Sequence, residues 1–124
     1  MTPVNAVNWF ELYVSDFDRA HAFYQRALDV ELPIVDGPTS RMGIFPGEQN
    51  GGVGGCISAM AGMHPGTGGT RVYLNVEGKL DAVLDRVPTA GGIIVQPRTE
   101  IAPHGFVALI KDSEGNSVGL HSVS

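Results

Sequence analysis

Hydrophobic and polar residues alternate along Trp9-Phe10-Glu11-Leu12-Tyr13-Val14, which puts Phe10, Leu12 and Val14 on one face of a predicted strand. The period then lengthens. Phe17, Ala20, Tyr24, Ala27 and Leu28 recur at helical spacing, and Asp16 stands where an N-cap accepts from the first turn. The same sequence of patterns returns further along. Arg71-Val72-Tyr73-Leu74-Asn75-Val76 alternates with Val72, Leu74 and Val76 on one face, and Leu80, Val83, Leu84 and Val87 form the stripe of a second helix. Leu12 matches Leu74, Val14 matches Val76 and Ala20 matches Ala82, each 62 positions on. Pro88 lacks an N–H, so the second helix is expected to end or kink near Val87.

Short strand candidates follow each helix. They are Val30–Val35, Arg41–Phe45 and Val53–Met60 after the first, and Ile93–Gln96, Phe106–Lys111 and Ser117–His121 after the second. Asp112-Ser113-Glu114-Gly115-Asn116 is a turn before the last strand. Both halves therefore read β-α-β-β-β. The prediction is an α+β chain, one domain over 1–124, built from two modules at about 4–62 and about 68–122.

Composition narrows the function classes. With 124 residues, 43% hydrophobic and 17% charged, the chain is long enough to bury a core and too apolar for disorder. A net charge of −5 with no basic run argues against nucleic acid and anionic membranes as partners. The one cysteine, Cys56, excludes an internal disulfide and a cysteine-based zinc cluster. No secretory signal is visible at the N-terminus, so the cytoplasm is the expected compartment, and the glycine-broken middle of the chain offers no membrane span. Ten of the 17 glycines fall between Gly43 and Gly69, without the spacing of a nucleotide-binding loop.

The run Val14-Ser15-Asp16-Phe17-Asp18-Arg19-Ala20 with Phe23-Tyr24, and the turn Asp112–Asn116, resemble the vicinal oxygen chelate superfamily of glyoxalase I, fosfomycin and bleomycin resistance proteins and extradiol dioxygenases. The resemblance covers nearly the whole chain. Trp9-Phe10-Glu11, Gly69–Val76 and Gly115–Ser122 are more narrowly similar to the glyoxalase-related proteins. It implies two βαβββ modules forming a cup-shaped mixed sheet, often completed by a homodimer. In the family the cup holds a divalent metal that a substrate chelates through vicinal oxygens.

The family's ligand positions, on the first strand of each module and the last strand of the second, correspond here to Trp9, Arg71 and Gly119. None is a metal donor, so neither a metal nor another cofactor is expected. A displaced set at Glu11, Tyr73 and His121 is disfavoured on the expectation that a module's first and last strands run antiparallel. A two-residue step would then separate the side chains by about 6.5 Å in opposite senses.

On the family's pleat, Trp9, Glu11, Tyr13, Arg71, Tyr73, Asn75 and His121 line the cup. Aromatic walls with a few charged anchors suit a small organic ligand. Arg71 is a candidate anchor for a carboxylate or phosphate, and the rings of Trp9, Tyr13 and Tyr73 are candidates for stacking. Blander roles are open for each: a Glu11–Arg71 ion pair, Trp9 as filler of the metal's volume, tyrosines as core rings, His121 as a surface or interface histidine. His21 is read as lying on a solvated helix face, His64 and His104 as loop residues, and Cys56 as a small buried hydrophobe. Three functions stay open. The first is a metal-independent binder of a small organic molecule. The second is a glyoxalase-related (lactoylglutathione lyase-like) lyase or isomerase with Glu11 or His121 transferring protons. The third is a non-catalytic interaction module with a vestigial cup.

Overall fold

Asp16 begins the first helix by turning its carboxylate back to the Arg19 N–H at 3.0 Å, leaving the amphipathic run free to bury one side. In a computed structural model, which describes residues 5, 7–47 and 51–124, this gives strand β1 (Trp9–Tyr13), helix α1 (Phe17–Leu28) and strands β2 (Ile34–Asp36), β3 (Ser40–Ile44) and β4 (Gly54–Met60). The second module repeats the order with β5 (Val72–Asn75), α2 (Leu80–Ala90), β6 (Ile93–Glu100), β7 (Phe106–Lys111) and β8 (Ser117–Ser122). Each module has its own four-stranded mixed sheet, ordered β1-β4-β3-β2 and β5-β8-β7-β6. The strands of the two modules form two sheets, with β1 and β5 each at an edge.

The first and last strands of each module are parallel, which overturns the antiparallel expectation. Leu12 lies opposite Ile57, and Leu74 opposite Leu120. A helix-containing module that crosses over before returning beside its first strand needs no hairpin there, so parallel pairing is open to it. Steps along β5 and β8 therefore move together: Tyr73 faces Gly119 and Asn75 faces His121.

Of the predicted boundaries that move, three do so for identifiable reasons. Val30–Pro33 stays out of the sheet because the Leu32 N–H is taken by Gln25 Oε1 at 2.9 Å and Pro33 has no donor, so β2 begins only at Ile34. Helix α2 runs past Pro88 to Ala90, where Gly91 at φ 112° closes it by donating to Val87 and Pro88 carbonyls. Strand β6 continues to Glu100, absorbing Pro97 as an edge strand with two register shifts. Strand β8 extends one residue, to Ser122.

One apolar core joins the modules. Phe17, Phe23, Tyr24 and Ala27 of α1 and Leu80, Val83 and Val87 of α2 share it with Leu12, Ile57, Leu74 and Leu120 from the sheets. Polar clamps fix the same junction. Glu114, whose side chain is fully buried, accepts from the Ser15 and Asp16 N–H groups at 3.0 and 2.8 Å and from Arg19 Nε at 2.7 Å. Its neighbour Asp112 accepts from the Tyr24 hydroxyl at 2.7 Å and from Asn116. The turn of module 2 is thereby docked on the start of the module 1 helix. Burial pushes the Glu114 carboxyl up, but the bonds from Arg19, Asp16 and Ser113 outweigh it and hold it below the usual carboxylate value. Burial, then the Asp112 charge, raises the Tyr24 hydroxyl well above its usual value. Among the described residues no helix is long and apolar enough to cross a membrane.

Candidate functional site

Because β1 and β5 are edge strands, both leave one side of the backbone without a sheet partner. A cavity of about 1280 Å³ runs along these two edges and takes consecutive residues from each, Trp9–Tyr13 and Arg71–Val76. Its lining combines the buried or half-buried apolar residues Phe10, Leu28, Phe45 and Val83 with the charged residues Glu11, Arg71, Glu77 and Lys79.

Six of the seven residues named from sequence line this cavity: Trp9, Glu11, Tyr13, Arg71, Tyr73 and Asn75. His121 does not. Its Nε2 lies 2.7 Å from the His104 carbonyl oxygen, away from the cleft. Glu11 and Arg71 do not pair: Trp9 Nε1 donates to Glu11 Oε2 at 3.3 Å, while Arg71 Nε donates to Ser117 Oγ at 3.2 Å. Among the described residues Arg71 makes no ion pair. Asn75 Oδ1 accepts from the Glu77 N–H at 2.9 Å, an Asx turn that shapes the wall rather than offering a free amide oxygen.

Behind β1, strand β4 presents small buried residues. Cys56 lies opposite Glu11 and Ser58 opposite Tyr13, both wholly buried. Burial, with a smaller contribution from the Glu11 charge, pushes the Cys56 thiol up to about 12, which disfavours the nucleophilic thiolate. The Ser58 hydroxyl has no hydrogen-bond partner among the described residues.

The positions that hold a metal in the family do not fit one here. Trp9 and Arg71 supply no lone pair, and at Gly119 the ring of Tyr73 lies against the Cα, so a Cβ would collide with Tyr73 Cδ2 and Cε2. The space a ligating carboxylate would occupy is filled by an aromatic ring. Glu11, Tyr73 and His121 do not form a displaced set either, since His121 points elsewhere. Among the described residues no three His, Cys, Asp or Glu side chains are grouped to hold a metal.

Sequence reasoning passed over several cavity residues. Asn116 joins three segments, donating to the Tyr13 carbonyl and to Asp112 and accepting from the Gly66 N–H at 2.9 Å. It pins the inter-module linker, whose His64, Gly66, Gly68 and Thr70 border the cavity. The only sequence signal was the glycine-rich composition of that linker. His21 also departs from expectation: it is half-buried, its Nε2 is 2.7 Å from the Leu32 carbonyl and its ring stacks on Phe17.

Comparison with known proteins bears on this architecture. The family model for the Glyoxalase/Bleomycin resistance protein/Dioxygenase superfamily matches residues 6–120. Among solved structures, TnmS3, an antibiotic binding protein from Streptomyces sp. CB03234, is 24% identical with a TM-score of 0.71 and full coverage of both chains (100% and 100%). A glyoxylase/bleomycin resistance protein/dioxygenase domain from Frankia sp. EAN1pec is 23% identical with a TM-score of 0.69, covering 95% of this chain and 97% of that one. The fosfomycin resistance protein FosX from Listeria monocytogenes is 14% identical with a TM-score of 0.66, covering 98% and 94%. At these identities the likeness is one of fold. No curated protein matches the chain significantly.

Proposed function

The chain belongs to the Glyoxalase/Bleomycin resistance protein/Dioxygenase superfamily, and from that premise we propose that it is a metal-independent binder of a small organic molecule held in the cleft between β1 and β5. The observation that carries this reading is the replacement of the family's metal donors by Trp9, Arg71 and a Gly119 covered by the Tyr73 ring, in a cavity still about 1280 Å³ in volume. Pockets for drug-sized ligands run about 300–1,000 Å³, so the space is ample and gives no support to a vestigial cup. Trp9, Tyr13 and Tyr73 supply stacking surface, and Arg71 supplies a cation without a carboxylate partner among the described residues. TnmS3 is an antibiotic binding protein and FosX a fosfomycin resistance protein, so the fold is suited to small-molecule recognition. A homodimer, in which a second copy covers the open side of the cleft, accords with the exposure of Trp9 at 38% and Tyr73 at 47%.

The test is removal and return of metal. Dialysis against a chelator, followed by Zn²⁺, Ni²⁺ or Mn²⁺, is expected to leave the thermal midpoint unchanged. A rise of several degrees with one equivalent of metal would overturn the reading.

A second reading, a glyoxalase-related lyase or isomerase, is favoured by one observation: the Glu11 carboxylate lines the cavity, oriented by the Trp9 indole N–H. His121 is a poorer candidate for the proton-transfer group because it turns away. If lyase or isomerase turnover is found, Glu11→Gln should abolish it while the fold persists; unchanged turnover would remove Glu11 from the reaction.

A further inference from the structure

We infer that Gly119 and Tyr73 together form a shelf for a flat aromatic ring and that Arg71, aimed by Ser117, holds an anionic group on that ring, so that the ligand class is a planar aromatic anion. This rests on the small-molecule reading above and makes it specific.

The parallel register of β5 and β8 puts Tyr73 opposite Gly119. Any side chain at 119 would run into Cγ, Cδ2 and Cε2 of Tyr73, three atoms of one ring edge, so the ring fills the space a Cβ would take. Yet Tyr73 is 47% exposed. The ring is held against β8 at Gly119 and still borders the cleft, which leaves it able to stack a second ring at little conformational cost. Gly119 thus does more than omit a metal ligand: its missing Cβ is what makes room for the ring.

Arg71 precedes Tyr73 by two residues and so projects from the same side of the chain, about 6.6 Å along the strand. Ser117 accepts from its Nε at 3.2 Å. That bond orients the guanidinium while leaving both terminal nitrogens for a planar oxyanion, and among the described residues no carboxylate competes for them. The other cation on the wall is Lys79; Glu77 beside it is engaged by the Val123 N–H at 2.7 Å. A ring on Tyr73 with a carboxylate or sulfonate directed back toward Arg71 meets both features at once. A neutral ring would use only the shelf, and a non-aromatic anion only the fork.

Fluorescence titration of the full chain with two probes separates these contributions: 8-anilinonaphthalene-1-sulfonate, an aromatic anion, and N-phenyl-1-naphthylamine, its uncharged relative. Arg71→Ala is expected to weaken the anionic probe about tenfold or more, the scale of a charge-assisted hydrogen-bonded pair, and to leave the neutral probe within about twofold. Gly119→Ala is expected to weaken both by about fivefold, as the ring is lifted. If that variant does not fold, Tyr73→Leu, which removes the shelf but keeps the glycine, should do the same. Equal losses for both probes in Arg71→Ala, or unchanged binding of both in Gly119→Ala and Tyr73→Leu, would overturn the assignment. Wild-type protein that binds neither probe would also overturn the ligand class. That result leaves the metal-independent reading standing, because only the metal-return experiment bears on it.

Discussion

Replacing Glu114 tests how firmly the turn of module 2 is held on the first helix of module 1. Its buried carboxylate bonds two backbone N–H groups at the start of α1, at 3.0 and 2.8 Å, and both Nε and Nη2 of Arg19, at 2.7 and 3.0 Å. Arg19 is 55% exposed, so water can replace much of that ion pair and little stability is assigned to it. The backbone donors matter more. Losing the acceptor for each costs about 1–2 kcal/mol, giving about 2–4 kcal/mol for Glu114→Ala. With a urea m-value of about 1.5 kcal/mol/M, the unfolding midpoint should fall by about 1.3–2.7 M. Glu114→Gln keeps one acceptor and should fall by roughly half as much. The acid form gives a second signature. The folded carboxyl lies below its unfolded value of about 4.3, so its stabilisation is fully present above that pH and is lost as pH falls through the folded value. The stability gap between wild type and Glu114→Gln should therefore be flat from about pH 5.5 to 8 and shrink below about pH 4. Midpoints within about 0.3 M of wild type for Glu114→Ala, or a gap that does not change with pH, would refute the clamp.

Two further outcomes follow from close packing around small residues. Gly55→Ala puts a methyl into the Phe10 ring, which lies on that glycine between β1 and β4, and should cost about 1–3 kcal/mol by urea denaturation; a neutral result would mean Phe10 has room to move. Cys56, wholly buried with its thiol pushed up to about 12, should resist a maleimide or disulfide reagent at pH 8 in native protein and react within minutes in denaturant; prompt native labelling would contradict its burial.

Much of the architecture could be read in advance because it rests on local patterns. The alternation around Leu12 and Leu74 and the stripes of α1 and α2 each specify an element by which side must face a core. Strand β7 was read to the residue, since Phe106–Lys111 is a compact apolar run ended by a turn. Pro33 and Pro88 were harder because a proline's effect depends on its surroundings. One delayed a strand whose neighbouring donor had found a side-chain acceptor, and the other was carried within a helix that Gly91 closes. The direction of β1 against β4 was not legible at all, since parallel and antiparallel pairing leave the same alternation in a single strand.

The site divides along the same line. Trp9, Glu11, Tyr13, Arg71, Tyr73 and Asn75 could be placed in one cavity because they share strand faces that the 62-residue offset relates. His121 shares such a face, but its side chain turns to a carbonyl on the loop before β7, a contact 17 residues away that periodicity does not encode. The Tyr73 ring on Gly119 depends on register across two strands far apart in sequence. Glu114 looked like a turn former, and only its burial against α1 gives it a second role.

On the reading proposed above, this cup binds an organic molecule without a metal. Native mass spectrometry of untagged protein, purified without chelators, tests it most directly, because oligomer, metal and retained ligand appear in one spectrum. The expected spectrum is that of a dimer whose mass matches the sequence, with no stoichiometric metal, and that accepts one aromatic anion per cleft. One divalent metal bound per cleft would contradict it.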